Sequence, residues 1–481
     1  MPIYVGVDVG TTKIATLFLD TESRAIKAVH ITANDSEITH VQTRSRGWSE
    51  CDAEQATRLT FKAMAETVRE LRNSEEISGI GVTGQMHGMV LVSPDHRPLS
   101  PFISWQDQRC NGNMPGTTIS YIDRMVELAG ERGFSREGCH PATGYMGSTL
   151  FWLKENHALP PEPAAACFLP DYVVMRMTDN DPVSDPTNAG SSGTYDVVSR
   201  EWDTELIGRL GLNTDLLPKV RNSGEVLGEL TAEASRKTGL PQGTPICVAC
   251  GDNQASFMGS VAGRQKTVLV NIGTGGQVSL RVPEYLRAED QSVDTRCDLD
   301  KGYLLVGAIL SGGSSYALLR RFFLEVGRSF FGAKGNEELY EEMTRLAATV
   351  PAGSDGLRCE PHFAGMRLDP HLGAVWTGMN ESNFSPGHMT RALLEGVARH
   401  LHILYQRMLQ SGVPPRTSLV SSGNGVRNNP LLAGILCDTF GIPLRVPVNA
   451  EEAALGAALL AAVGCGEFRD IEEAAQLVTY Q

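Results

Sequence analysis

Apolar and polar positions follow two periods along this chain, and the switches between them mark its elements. Residues 3–9 (Ile-Tyr-Val-Gly-Val-Asp-Val) and 14–19 are nearly continuous apolar runs separated by the turn Gly10-Thr11-Thr12. That pattern predicts two strands joined by a tight hairpin. Residues 267–280 repeat it, with Gly273-Thr274-Gly275-Gly276 at the turn. Two similar hairpins, one in each half, predict a duplicated domain. Elsewhere the period is helical. Asp52 precedes Phe61, Met64, Ala65, Val68 and Leu71 on one face, with Gln55 placed to complete a capping box. Pro386 opens a helix carrying Leu394, Val397, Leu401, Leu404 and Met408 at spacings of three and four. Residues 451–462 are almost all small and apolar, so that helix is expected to pack closely against a sheet. The segments 160–163 and 179–182, rich in Pro, Asp and Asn, read as surface turns. Alternating strand and helix runs predict an α/β protein with mixed sheets. Its two domains are expected over 1–257 and 258–481.

Composition narrows the partners. A chain of 481 residues exceeds what one core normally serves, and 41% hydrophobic with 20% charged residues suits a folded enzyme. The net charge of -14 argues against nucleic acid or an anionic membrane, since phosphate backbones demand excess Lys and Arg. ATP stays compatible, because backbone N–H groups and Mg²⁺ can hold a mononucleotide. Ten cysteines show one C-x-x-C, Cys247 to Cys250, inside an apolar strand and without a second pair to complete a metal site. The structural reading is preferred, and with it a reducing compartment. No basic leader-like segment opens the chain, and the longest apolar run, 453–463, is too short to span a bilayer. Cytoplasm is the expectation, and a homodimer is left open.

The chemistry centres on Asp252. The apolar run Pro245 to Cys250 delivers this carboxylate onto a glycine turn at the start of a helix. A strand ending in Gly-Asp is commonly only a turn; its company makes it a candidate base. Gly10-Thr11-Thr12 and Gly273-Thr274 offer backbone N–H nests and uncharged hydroxyls that can clamp phosphates from two sides. Asp8 stands two residues before the first turn, where it either holds Mg²⁺ through water or bonds turn amides. Gly84-Gln85-Met86-His87-Gly88 ends a strand, and its polar groups between glycines suit a polyhydroxy ligand. Trp105 adds an aromatic face for the C–H side of a sugar. Small residues from Ser421 to Pro430 let a flat base lie on backbone, with Asn424 or Asn428 to read its edge. No Walker loop, nucleophile elbow or zinc-protease helix occurs in the sequence.

Over essentially its whole length the chain resembles the FGGY carbohydrate kinases, a branch of the actin-like ATPase superfamily. Residues 374–379 (Ala-Val-Trp-Thr-Gly-Met), followed after eight residues by 388–396 (His-Met-Thr-Arg-Ala-Leu-Leu-Glu-Gly), fit the family's C-terminal pattern. The loop 84–88 looks like that of xylulokinases and sedoheptulokinases. Glycerol kinases carry Arg-Glu there, so glycerol is not expected. Thr149, three residues before Trp152, stands where most of the family has Lys and sedoheptulokinases have Thr. Residues 105–110 and 421–425 also lean towards sedoheptulokinase, whereas Asn253 beside Asp252 is familiar from xylulokinases. The resemblance implies two actin-like (ribonuclease H-like) domains around a central cleft. It implies Asp252 as the base, and Met86, His87, Trp105 and Asn253 around the ketose. Thr11, Thr12, Gly273 and Thr274 would face the phosphates, and Gly313 with Gly423, Asn424 and Gly425 would frame adenosine. ATP, Mg²⁺ and a ketose are the ligands implied. The other classes weighed are another pentulose kinase, an inactive sugar or nucleotide sensor, and an ATP-driven machine.

Overall fold

Strand Pro2–Val9 runs antiparallel to Lys13–Asp20, which pairs in turn with Ala25–Ala33. Glu76–Gly84 and Pro245–Cys247 add in parallel, and Val226–Glu229 closes the sheet antiparallel. The second half repeats the plan. Thr267–Ile272, Gly276–Val282, Tyr303–Ile309 and Val293–Cys297 are antiparallel neighbours, while Ser418–Ser422 and Leu444–Arg445 add in parallel. The two mixed sheets share one order over five strands, in agreement with the duplicated hairpin, and differ in the edge that carries the sixth, Val226–Glu229 beside the parallel strands and Val293–Cys297 beside the antiparallel ones. The computed structural model describes residues 2–71, 76–161, 165–287, 291–332, 339–366, 369 and 371–481. The expected turn at 160–163 therefore lies partly outside the described residues.

Period-2 alternation assigns a different layer to each face of a sheet. Ile3, Val5 and Val7 join Phe61 and Met64 of helix Ala53–Val68. Tyr4 joins Ala454 and Ala458 of helix Glu452–Gly464 on the opposite face. Gly6 shares the parity of Tyr4, and a Cβ there would lie 1.9 Å from the carbonyl oxygen of Ala454. Only glycine allows that approach. The small-residue helix thus finds a sheet, as expected, but it is the sheet of the first half.

Helix Asp252–Ser260 packs beside it: a Cβ on Gly456 would fall 1.9 Å from the carbonyl oxygen of Ala255. Its Met258 belongs to the core of the first sheet, whereas its Phe257 meets Leu269 and Val420 of the second. The two helices therefore form a shared layer between the sheets, and position 257 falls inside one of them. Helix Pro386–Gln410 covers the far side of the second sheet, with Leu394, Val397, Leu401, Leu404 and Met408 all buried.

Two local expectations need correction. Asp52 caps its helix by accepting the amide of Gln55 at 2.9 Å, but its own N–H donates to the carbonyl of Ser36, so the capping box is half made. The helix stops at Val68, so Leu71 lies past its end on the following turn. All ten cysteines are free, and no described helix is long and apolar enough to cross a membrane.

Candidate active site

The strand that delivers Asp252 is broken. Pro245–Cys247 and Cys250–Gly251 each pair with Glu76–Gly84, and the chain steps between them at Val248-Ala249. Gly251 donates its N–H to Thr187 Oγ1 at 2.7 Å, and that hydroxyl donates to Asp185 Oδ2 at 2.7 Å. This buried relay pins the turn from which Asp252 opens its helix. Burial pushes the Asp252 carboxyl up to about 6, opposed by the amide of Asn253 and the charge of Arg296. A group near 6 is ionised at neutral pH yet still basic enough to accept a proton.

Asp8 has the parity of Tyr4 and Gly6, so it faces the layer where helix Glu452–Gly464 begins. Burial, then the charges of Asp252 and Glu451, push its carboxyl up to about 8, while Lys13 pulls the other way. Lys13 itself is held by Glu451 at 2.6 Å. Asp8 Oδ1 is buried with no hydrogen-bond partner among the described residues. The lack of a turn amide on that oxygen disfavours the reading of Asp8 as a clamp on turn amides; the turn is tied at the carbonyls of Gly10 and Thr12, which accept from Asn34 Nδ2 at 2.7 Å and N at 3.0 Å.

Arg296, whose charge acts on Asp252, leads to His87, a non-glycine residue with φ of 75°. Left-handed backbone at such a residue costs about 1–3 kcal/mol and persists only where the surroundings impose it. Ser191 does so, accepting the His87 N–H on Oγ at 3.1 Å and bonding Nδ1 through its carbonyl at 2.9 Å. A carbonyl can only accept, so Nδ1 carries hydrogen and Nε2 is the acceptor facing Arg296 at 3.3 Å. The imidazole stacks flat on Tyr145 with centroids 4.3 Å apart. Met86 is buried, and a Cβ on Gly251 would fall 2.7 Å from its sulfur, so it supports the turn beneath the base. Trp105 is partly exposed and donates Nε1–H to Thr11 Oγ1 at 3.0 Å, which joins the expected sugar side to the first hairpin. Asn253 donates to Gln277 Oε1 at 2.8 Å, a bridge to the second sheet.

The second hairpin faces a cavity of about 1190 Å³. Gly273, Thr274, Gly313, Asn424, Gly425 and Asn428 all line it, as do Tyr316 and Phe363. Gly313 donates to the carbonyl of Gly273 at 3.0 Å, so helix Gly313–Phe331 braces the turn. Gly423 lies underneath with φ of 86°, where a Cβ would be 2.5 Å from the carbonyl of Ile272. The structure therefore gathers the residues expected around adenosine at one cavity, with Gly423 beneath its wall and not lining it. Of those expected around the ketose, Met86 and Asn253 adjoin the Asp252 turn and His87 connects to it through Arg296, while Trp105 is joined to the first hairpin.

Arg296, Tyr145 and Thr187 were missed from the sequence. One signal was legible. Asp294 and Arg296 stand two apart on strand Val293–Cys297 and so share one face, and an opposite-charge pair on a short strand bounded by Val and Cys is the mark of a buried pair. They meet at 2.9 Å. Nothing comparable flags Tyr145 or Thr187.

Residues 3–259 match the N-terminal domain of the FGGY family of carbohydrate kinases, and residues 268–465 match its C-terminal domain. Xylulose kinase of Bacillus subtilis is 26% identical over 99% of this chain and 91% of its own length. Sedoheptulokinase of Mus musculus is also 26% identical, over 95% of this chain and 97% of its own. Among solved structures, xylulose kinase from Rhodospirillum rubrum superimposes with a TM-score of 0.86 at 26% identity, covering 100% of this chain and 93% of its own. The fold, the paired hairpins and the match along both halves lead to one conclusion: the chain belongs to the FGGY family of carbohydrate kinases and is an ATP-dependent sugar kinase.

Proposed function

We propose that this kinase transfers the γ-phosphoryl group of ATP to the terminal hydroxyl of a ketose, sedoheptulose, yielding sedoheptulose 7-phosphate. The observation that carries the mechanism is the position of Asp252 at the head of the shared helix layer, within electrostatic reach of Asp8 and of the Arg296–His87 pair. Asp252 takes the hydroxyl proton while the sugar oxygen bonds to the γ-phosphorus. The bond to the β–γ bridging oxygen breaks, and ADP leaves. Positioning and charge neutralisation do most of the work in such transfers. His87, Trp105 and Asn253 orient the sugar, Met86 holds the turn, and Arg296 offers donors to its hydroxyls. Thr11, Thr12, Gly273 and Thr274 receive the phosphates. Residues 1–257 thus supply the first phosphate hairpin and the sugar site apart from Arg296, and 258–481 the second hairpin and the adenosine site.

Mg²⁺ fits the corner next to the base. The orphaned Asp8 oxygen and the neighbouring Asp252 charge both call for a cation. Asp8 would hold it, largely through water. When bound, the ion supplies neutralisation of phosphate charge.

The Met86-His87 loop supports a ketose, and the choice of sedoheptulose rests on Thr149 with residues 105–110 and 421–425. Thr149 is fully buried in helix Met146–Glu155, so it acts on the pocket through packing and not by touching sugar. Asn253 beside the base supports the second reading, D-xylulose to xylulose 5-phosphate. A coupled ADP-release assay across sedoheptulose, D-xylulose, L- and D-ribulose and glycerol tests both. The highest kcat/KM is expected with sedoheptulose; preference for a pentulose overturns the first reading and leaves the base assignment standing.

A further inference from the structure

A second cluster of ligand-type side chains lies away from the reaction centre. We propose that Glu360, His362 and His400 form a site for one transition-metal dication, with Zn²⁺ as the best match. Glu360 ends strand Arg358–Glu360, and His400 projects from helix Pro386–Gln410. The helix runs tight against the strand one turn earlier, where a Cβ on Gly396 would lie 2.3 Å from the carbonyl of Cys359. That contact sets His400 beside Glu360. His362 follows on a tight turn, its N–H donating to the Glu360 carbonyl at 2.9 Å.

The ligand atoms of the three side chains all lie within 4.8 Å of one another. Tetrahedral zinc, with bonds of about 2.0–2.1 Å, holds its ligands about 3.4 Å apart, so small side-chain rotations close the site. Two imidazoles and a carboxylate select Zn²⁺ or its neighbours over Mg²⁺, which prefers oxygen. Without metal, Glu360 Oε2 and His400 Nε2 share a hydrogen bond whose proton the ion would displace. Arg399 holds the other carboxylate oxygen at 3.0 Å and so orients the ligand. All three residues are half-buried, within reach of solvent and with a fourth position for water. The chain runs from His362 directly into Phe363 and Ala364, which line the nucleotide cavity, and Ala364 N–H donates to Ser311 Oγ at 3.0 Å. A bound ion would brace that wall.

Untagged full-length protein, stripped with a chelator that is then removed, is titrated with Zn²⁺ against a competing indicator and separately with Co²⁺. The wild type is expected to bind one Zn²⁺ at least about tenfold more tightly than His362→Asn protein, the scale of loss known for disturbed metal shells. Co²⁺ should give the visible band of a four-coordinate site in the wild type and lose it in the variant. His362→Asn leaves the Glu360–His400 bond in place, and a melting curve in chelator shows that the variant is folded. Equal Zn²⁺ affinity in the two proteins, or no zinc binding by the wild type, overturns the proposal.

Discussion

The charge on Asp252 helps to hold a proton on Asp8. Burial is the larger cause and the Asp252 charge the next, and together they push the Asp8 carboxyl up to about 8, while Asp252 itself stays near 6. The two carboxylates share one corner, and a cation bound there would release the Asp8 proton, so the proposed roles of proton acceptor for Asp252 and cation holder for Asp8 are compatible.

Kinase activity should follow the ionisation of Asp252. The base works only when deprotonated, so kcat/KM should fall with unit slope as pH drops below about 6. Asp252→Asn should lower kcat by about 10²–10⁴-fold, with sugar affinity changing less. Steady-state kinetics from pH 5 to 8 check both. A variant within tenfold of wild type would refute the base assignment.

Asp8 should trade stability for activity. Its folded pKa of about 8 lies above the ordinary 3.8. Its protonated form therefore favours folding, a contribution complete below the ordinary value and lost as pH rises through about 8. Metal-free Asp8→Asn protein should melt higher than wild type at pH 8, with the gap closing towards pH 4, and should lose most kinase activity. Paired melting curves in chelator decide this; a variant less stable than wild type at pH 8 contradicts it.

His87 touches Ser191, Tyr145 and Arg296, and none of these four residues lines the cavity at the second hairpin. His87→Ala should therefore raise the ketose KM by up to about tenfold, the scale of one lost hydrogen bond to a neutral sugar, and leave the ATP KM nearly unchanged. Equal rises in both constants would move His87 out of the sugar site.

Thr187 positions the base without reaching the reacting atoms. Thr187→Val leaves the Gly251 N–H without its acceptor and removes one donor from Asp185, which keeps those of Asn188 and Ser223, a loss of about 1–3 kcal/mol. Turnover should drop by about tenfold with ketose KM within about twofold, on the view that a shifted base costs rate more than binding. Thr187→Ser should restore the rate. Failure of serine to rescue would show that the methyl group, and not the hydroxyl relay, matters.

Local chemistry was legible in the residues alone. The two glycine-threonine turns, the strand parity around Asp8 and the helix from Pro386 follow from alternation, turn residues and capping, which act over a few positions. Asp252 at the head of a helix was legible for the same reason. Its surroundings were not: Thr187, Arg296 and Tyr145 come to it from distant segments, and no local pattern encodes which buried hydroxyl or guanidinium will meet a given turn. The partner of helix Glu452–Gly464 was likewise decided by packing. Its stripe of small residues announced a close contact, but only the complementary Gly6 and Gly456 surfaces selected the first sheet and the Asp252 helix over the sheet nearer in sequence. Periodicity specifies which face of an element is buried; shape complementarity between faces, a property of the folded whole, specifies what buries it.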